Sequence, residues 1–227
     1  MARELIVFDM DGVLVDVTES YRETILRTVE HFTGKRVTRD MIQAYKNAGG
    51  WNNDWALSQR MAADLGVNIE YQTVVDHFQK LFLGNGSDGM ILREKWIGGE
   101  GLFERLSRRF DLAIYTGRPR YEAGLTLNRF APDIVFDPCI TAGDVVHGKP
   151  HPEGLERIRE RRPAQPMWYA GDTVDDARCA RAAQVPFIGV AGQANPARAE
   201  LLALFHAENA AAVLDDINQL EAFLANR

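Results

Sequence analysis

Leu5-Ile6-Val7-Phe8-Asp9-Met10-Asp11-Gly12 decides the fold. Four successive apolar residues are too few for a helix and read as a strand buried on both faces. The run stops at two aspartates and a glycine. In an open α/β sheet, ligands bind outside the carboxyl ends of the strands. The residues that follow each strand are therefore the first candidates for chemistry.

Runs of the same kind recur at Leu112–Tyr115, Ile134–Phe136, Met167–Ala170 and Phe187–Val190, with Ala211–Leu214 as a further one. Helical spacing separates them: Leu102, Leu106 and Phe110; then Tyr121, Leu125, Leu127 and Phe130; then Leu155 and Ile158; then Ala177 to Ala183; then Leu201, Leu202 and Phe205. Strand–helix alternation predicts an α/β fold, a parallel sheet with helices on both faces.

Residues 16–95 break the rhythm. Val17, Tyr21, Ile25, Val29 and Phe32 recur as one helix face. Trp55, Leu57, Met61 and Leu65 suggest a second helix, and Ile69, Val74, Val75, Phe78 and Leu81 a third. Asp16 is expected to cap the first of them. Gly84-Asn85-Gly86-Ser87-Asp88-Gly89 reads as a turn-rich break. The expected organisation is a core from residues 1–15 and 96–227 with a helical insertion, residues 16–95.

The chain has 227 residues, with 26 Lys and Arg against 32 Asp and Glu, a net charge of −6. That balance argues against a nucleic-acid reader, whose domain is typically basic. The two cysteines, Cys139 and Cys179, fit a reducing compartment. Leu5–Phe8 is too short for a signal-peptide core, and no run approaches the roughly 18 apolar residues of a membrane span. A soluble cytoplasmic protein, with no membrane and no nucleic-acid partner, is expected.

At the predicted strand ends stand Asp9 and Asp11; Thr116, Gly117 and Arg118; and Asp172, Asp175 and Asp176, with Lys149 ahead of the fourth strand. Clustered carboxylates repel one another unless a cation compensates. A few hard oxygen ligands suit Mg²⁺, which shares its shell with a substrate phosphate. The Thr116 hydroxyl and the main-chain N–H groups at Thr116-Gly117 can hold phosphate oxygens. Asp9 and Asp11, two apart in a strand, point to the same side. Asp9 can then attack phosphorus while Asp11 protonates the leaving oxygen and later activates water. Lys149 and Arg118, with Mg²⁺, must invert the local negative charge before a phosphate can enter.

Asp9-Met10-Asp11-Gly12-Val13-Leu14-Val15-Asp16, Tyr115-Thr116-Gly117-Arg118, Lys149-Pro150-His151-Pro152 and Gly171-Asp172-Thr173-Val174-Asp175-Asp176 resemble, in order and spacing, the four motifs of the haloacid dehalogenase superfamily. The resemblance implies a Rossmann-like core carrying an inserted α-helical cap domain, as in its phosphoglycolate phosphatase and β-phosphoglucomutase branch. It implies Asp9 as nucleophile and Mg²⁺ ligand, and Asp11 as acid–base with its carbonyl on the metal. It implies Thr116 and Lys149 on the phosphoryl group, and Asp172 and Asp176 at the metal. Asp11 favours phosphate-ester or phosphomutase chemistry over dehalogenation. The expected activity is Mg²⁺-dependent hydrolysis of a small phosphorylated metabolite through an aspartyl-phosphate, with a phosphomutase as the alternative. The family's cap loop falls near Asn47–Trp55, so Trp51, Asn52 and Asn53 are expected to contact the leaving group. No Lys or Arg occurs between Asn47 and Gln59, although Lys46 and Arg60 flank that stretch; a mutase gripping a second phosphate from its cap needs such a cation.

Overall fold

A computed structural model describes residues 3–226. The chain divides into two compact units. One comprises the segment up to Val15 together with the segment from Trp96 onward; the other is Asp16–Lys95.

The first unit is built on six parallel strands. They are β1 (Leu5–Phe8), β4 (Asp111–Tyr115), β5 (Cys139–Ile140), β6 (Met167–Gly171), β7 (Phe187–Val190) and β8 (Ala212–Leu214), in the spatial order β5-β4-β1-β6-β7-β8. β1 pairs with β4 on one side and β6 on the other, Phe8 lying opposite Ile114 and Ala170. All four β1 residues are fully buried, which is why the strand is apolar without alternation. Helices α5 (Leu102–Arg109), α6 (Arg120–Phe130), α7 (Glu153–Arg161), α8 (Val174–Ala182) and α9 (Arg198–Ala207) follow strands or precede them, and α10 (Leu220–Ala225) ends the described chain. Under one face of the sheet, Leu155 and Ile158 of α7, Ala177 and Ala180 of α8, and Leu201 and Phe205 of α9 pack on Val7, Tyr115 and Tyr169. Two short strands, β2 (Val15–Asp16) and β3 (Lys95–Trp96), pair as a separate ribbon. Among the described residues no helix is long and apolar enough to cross a membrane.

The second unit is helical: α1 (Tyr21–Thr33), α2 (Arg39–Ala48), α3 (Asp54–Asp64) and α4 (Tyr71–Leu83), followed by a 3₁₀ turn at Met90–Arg93. Tyr21, Ile25 and Val29 line the buried face of α1. The Tyr21 ring stands 4.0 Å from that of Phe82 and 6.1 Å from that of Phe78, which fixes α1 against α4. α1 ends at Gly34, left-handed at φ 64°, whose N–H answers the Glu30 carbonyl.

Two sequence expectations are corrected. Ile134–Phe136 is not a strand: Val135 is 76% exposed, while Phe136 turns its ring onto Phe8 at 6.2 Å. The edge strand starts after Pro138, where the Pro138 and Ile140 carbonyls accept from the Ile114 and Thr116 amides. Asp16 does not cap α1; its Oδ1 accepts from the Thr18 amide at 2.9 Å, and the helix begins at Tyr21.

Candidate active site

The carboxylates are positioned by backbone that is still part of the sheet. The Asp9 amide donates to the Ala170 carbonyl at 2.8 Å, so Asp9 extends β1 into the ladder with β6. The chain then turns tightly: the Leu14 and Val15 amides converge on the Met10 carbonyl, and the Gly12 amide donates to Val15. Gly12 sits at φ 73°, and a Cβ there would lie 2.0 Å from Asp172 Oδ2. Both the left-handed backbone and the close approach require glycine. Gly12→Ala is therefore expected to displace the Asp172 carboxylate and to weaken divalent-cation binding at least as much as it lowers thermal stability; calorimetric titration of the variant checks this.

On the β6 side, Gly171 and Asp172 lead into α8. Thr173 caps that helix, its Oγ1 accepting from the Asp176 amide while Asp176 Oδ2 accepts from the Thr173 amide and hydroxyl at 3.0 and 2.6 Å. Asp176 Oδ1 accepts from the Tyr169 hydroxyl at 2.5 Å and faces Lys149 Nζ at 2.7 Å. All four acceptor positions of this fully buried carboxylate are thereby taken. Lys149, also buried, reaches Asp9 Oδ1 at 2.8 Å. Its ammonium lies 5.0 Å from the Tyr115 ring centre and 5.5 Å from that of Tyr169. One ligand oxygen each from Asp9, Asp172 and Asp176 lies within 4.8 Å of the others, a set able to hold a metal ion.

The electrostatics assign the protons. Burial pushes the Asp9 carboxyl up from 3.8 to about 7, with Asp176 and Asp11 adding to the effect and Lys149 opposing it. Burial alone would also raise Asp176, but Lys149, Thr173 and Tyr169 outweigh it and hold that carboxyl below its usual range. Burial disfavours the Lys149 ammonium, yet Asp176 and Asp9 together hold it well above the usual lysine value. Lys149 is a permanent cation and not a proton donor at neutral pH.

At the end of β4, Thr116 is buried and its Oγ1 accepts from the Arg118 amide at 3.2 Å, while Gly117 is exposed. The Arg118 guanidinium does not stand open to solvent. Its Nε and Nη2 meet Asp11 Oδ1 at 2.7 and 2.5 Å, and Nη1 donates to Thr126 Oγ1 at 2.7 Å. The structure thus gathers Asp9, Asp172, Asp176 and Lys149 into one cluster and ties Asp11 to Arg118. Trp51, Asn52 and Asn53 belong to the helical unit. There the Trp51 ring stands edge-on to Tyr45 at 5.8 Å, and Asn53 caps α3 by accepting from the Trp55 and Ala56 amides. Asp175 is buried in the first turn of α8 and lies 4.0 Å from Arg178.

Sequence reasoning passed over Tyr169, Tyr115 and Thr126. Tyr169 carried a signal: a hydroxyl in an otherwise apolar buried strand needs a partner. Thr126 carried none, since its contact with Arg118 depends on how α6 docks.

Residues 6–190 match the family of haloacid dehalogenase-like hydrolases. An imidazoleglycerol-phosphate dehydratase from Phytophthora nicotianae is 34% identical over 197 residues, 82% of this chain. This chain spans only 43% of that relative's length. A phosphorylated carbohydrates phosphatase from Thermotoga maritima is 30% identical over 162 residues, covering 70% of each protein. The solved structure of a haloacid dehalogenase-like protein from Agrobacterium tumefaciens superposes with a TM-score of 0.72 over 99% of this chain and 98% of that one, at 21% identity. With its parallel sheet and its ordered carboxylate motifs, the chain belongs to the haloacid dehalogenase-like hydrolases.

Proposed function

We propose that the protein is a Mg²⁺-dependent phosphatase, hydrolysing a small phosphorylated metabolite through an aspartyl-phosphate on Asp9. The observation that carries this reading is the buried Asp9 carboxylate set against the permanent cation Lys149, with Asp11 two residues further on. An Asp9 oxygen attacks phosphorus, the ester P–O bond breaks, and Asp11 gives its proton to the departing oxygen. Water then attacks the same phosphorus, Asp11 takes its proton, and the bond to Asp9 breaks to return the carboxylate. Lys149, the Thr116 hydroxyl and the main-chain N–H of Gly117 hold the phosphoryl oxygens.

The donor set fits a hard divalent cation, because the three side chains that bring a ligand atom within 4.8 Å of one another are all carboxylates. Asp9 and Asp172, with the Asp11 carbonyl, would hold it. Asp176, with its four acceptor positions taken, acts by fixing Lys149. Mg²⁺ bound there would supply positive charge against the phosphoryl oxygens. Cys139 and Cys179 are both free thiols, which suits the cytoplasm as the place of action.

Hydrolysis is favoured over phosphomutase transfer by the fate of two cations in the helical unit. Lys46 is committed to Asp54 at 2.6 Å and to the Trp51 carbonyl at 2.8 Å, and Arg60 to Asp64 at 2.9 Å. We assign leaving-group choice to the loop with Trp51, Asn52 and Asn53. Since Trp51 packs on Tyr45 and Asn53 caps α3, Asn52 is the side chain with no such duty among the described residues.

Phosphate release from a panel of metabolite phosphates, with and without EDTA, tests the reading. Release should stop on chelation and return with Mg²⁺, and a sugar 1-phosphate should yield free phosphate and not its isomer. Mg²⁺ affinity should rise with pH up to about 7 and then level, because the cation competes with the proton that burial keeps on Asp9. Unchanged turnover in EDTA, or isomer without phosphate, overturns the proposal.

A further inference from the structure

We infer that Arg118 is a positioning residue for Asp11 and not a ligand of the phosphoryl group: it pins one carboxylate oxygen so that the other carries the proton in both half-reactions. The inference rests on the phosphatase reading and specifies how its acid–base group is held.

The Arg118 side chain is 1% exposed and the Asp11 side chain 30%. Two guanidinium nitrogens, Nε at 2.7 Å and Nη2 at 2.5 Å, close on the same Asp11 oxygen, Oδ1. The third, Nη1, donates at 2.7 Å to Thr126 Oγ1, itself buried in α6. The Arg118 main chain is held too: its amide donates to Thr116 Oγ1 at 3.2 Å and its carbonyl accepts from the Ala142 amide at 3.0 Å. To reach a phosphate, the guanidinium would have to abandon Asp11 and Thr126 from a buried position. Leaving a buried charge unpaired is strongly unfavourable.

The same contacts decide what Asp11 can do. Two N–H groups aimed at Oδ1 exclude a proton from that oxygen. Oδ2 accepts from no group among the described residues, so it is the oxygen that gives the proton to the leaving group and later takes one from water. Pinning Oδ1 also fixes where Oδ2 stands. Positioning of this kind is worth about 100-fold in rate when lost.

A double-mutant cycle with p-nitrophenyl phosphate tests this, scored by nitrophenolate release and by inhibition with inorganic phosphate. Arg118→Met should lower kcat by about 100-fold with KM and the phosphate inhibition constant unchanged, and Arg118→Lys should recover part of the loss. In an Asp11→Ala background, Arg118→Met should add nothing, because the group it positions is gone. Thr126→Val removes one anchor without emptying a charged site. It should lower kcat by a smaller factor, and again not in the Asp11→Ala background. That variant decides the matter if Arg118→Met does not fold. An undiminished Arg118→Met or Thr126→Val effect without Asp11 overturns the inference, as does weakened phosphate inhibition at constant kcat. The phosphatase reading fails separately, if Asp9→Asn still turns over; phosphate affinity in Arg118→Met then decides alone whether the guanidinium touches phosphate.

Discussion

Asp9→Asn is expected to release no phosphate from any ester and, without metal, to melt at a higher temperature than the wild-type protein at pH 8. The first half follows from the nucleophile. An amide of the same shape cannot form the acyl-phosphate, and loss of a nucleophile costs at least about 10⁴-fold in turnover. The second half follows from burial. The Asp9 carboxyl titrates near 7 in the folded chain against 3.8 ordinarily. Below pH 3.8 both states hold the proton and the group contributes nothing. Between the two values the unfolded chain ionises and the folded one does not, so stability falls as pH rises; above 7 the whole cost is present. Asparagine removes that ionisation, and Lys149 keeps Asp176 at 2.7 Å. The melting gap should therefore close toward pH 4. Added Mg²⁺ should narrow it at pH 8, because only the wild type gains from binding the ion through Asp9. Calorimetry at both pH values, with and without metal, checks each part. A variant that melts below the wild type at pH 8 without metal would show that the Asp9–Lys149 contact outweighs the burial cost.

Such a trade of stability for a reactive carboxylate leaves only part of itself in the sequence. β1 and β7 were legible because both lie in the sheet interior, where a strand must be apolar throughout. The places of Asp9, Thr116 and Asp172 at the ends of β1, β4 and β6 follow from that reading. β5 was not legible: it is two residues long, and its hydrogen bonding to β4 begins at Asp137, after the apolar run. α2 was missed for another reason. Its buried face is Ile42, Gln43 and Asn47, and Gln43 donates to Asn47 at 2.8 Å within that face. A helix that buries amides has no hydrophobic period to read. At the site, residue types were readable and partnerships were not. Arg118 and Asp11 stand 107 positions apart, and only the pairing of β1 with β4 brings their loops together. The same pairing makes Arg118 a buried partner of the Asp11 carboxylate, which its place after Thr116-Gly117 does not announce.

Lys149→Met should be the most destabilising single change in the core unit, and its effect should depend on pH. The ammonium separates two buried carboxylates, 2.8 Å from Asp9 and 2.7 Å from Asp176. Removing one partner of a buried ion cluster costs about 3–5 kcal/mol, because the remaining charge is neither solvated nor paired. Asp176 is the residue that suffers. With Lys149 present its carboxyl lies below the usual range and its stabilising contribution survives until the pH falls through that low value. Without the ammonium, Thr173 and Tyr169 are left to oppose burial at Asp176, and Asp9 loses the cation that opposes burial there, so both carboxyls shift toward the proton and the variant should be least stable at pH 8 and recover toward pH 5. Asp176→Asn placed on top of Lys149→Met should restore much of the stability, since the uncompensated charge is gone: the amide oxygen can still accept from the Thr173 amide and hydroxyl, and the amide NH2 can donate to the Tyr169 hydroxyl. It should restore none of the turnover, because no ammonium then stands beside Asp9 to hold the phosphoryl group. Lys149→Arg should not rescue activity either: a planar fork on a longer stem does not put one point charge midway between Asp9 and Asp176, at 2.8 and 2.7 Å, as the ammonium does. Thermal unfolding of the single and double variants at pH 5 and 8, beside phosphate release, separates the two roles. If the double variant regains turnover, the work assigned to Lys149 is only to quench Asp176; if it regains neither stability nor turnover, the cluster is held by contacts other than charge.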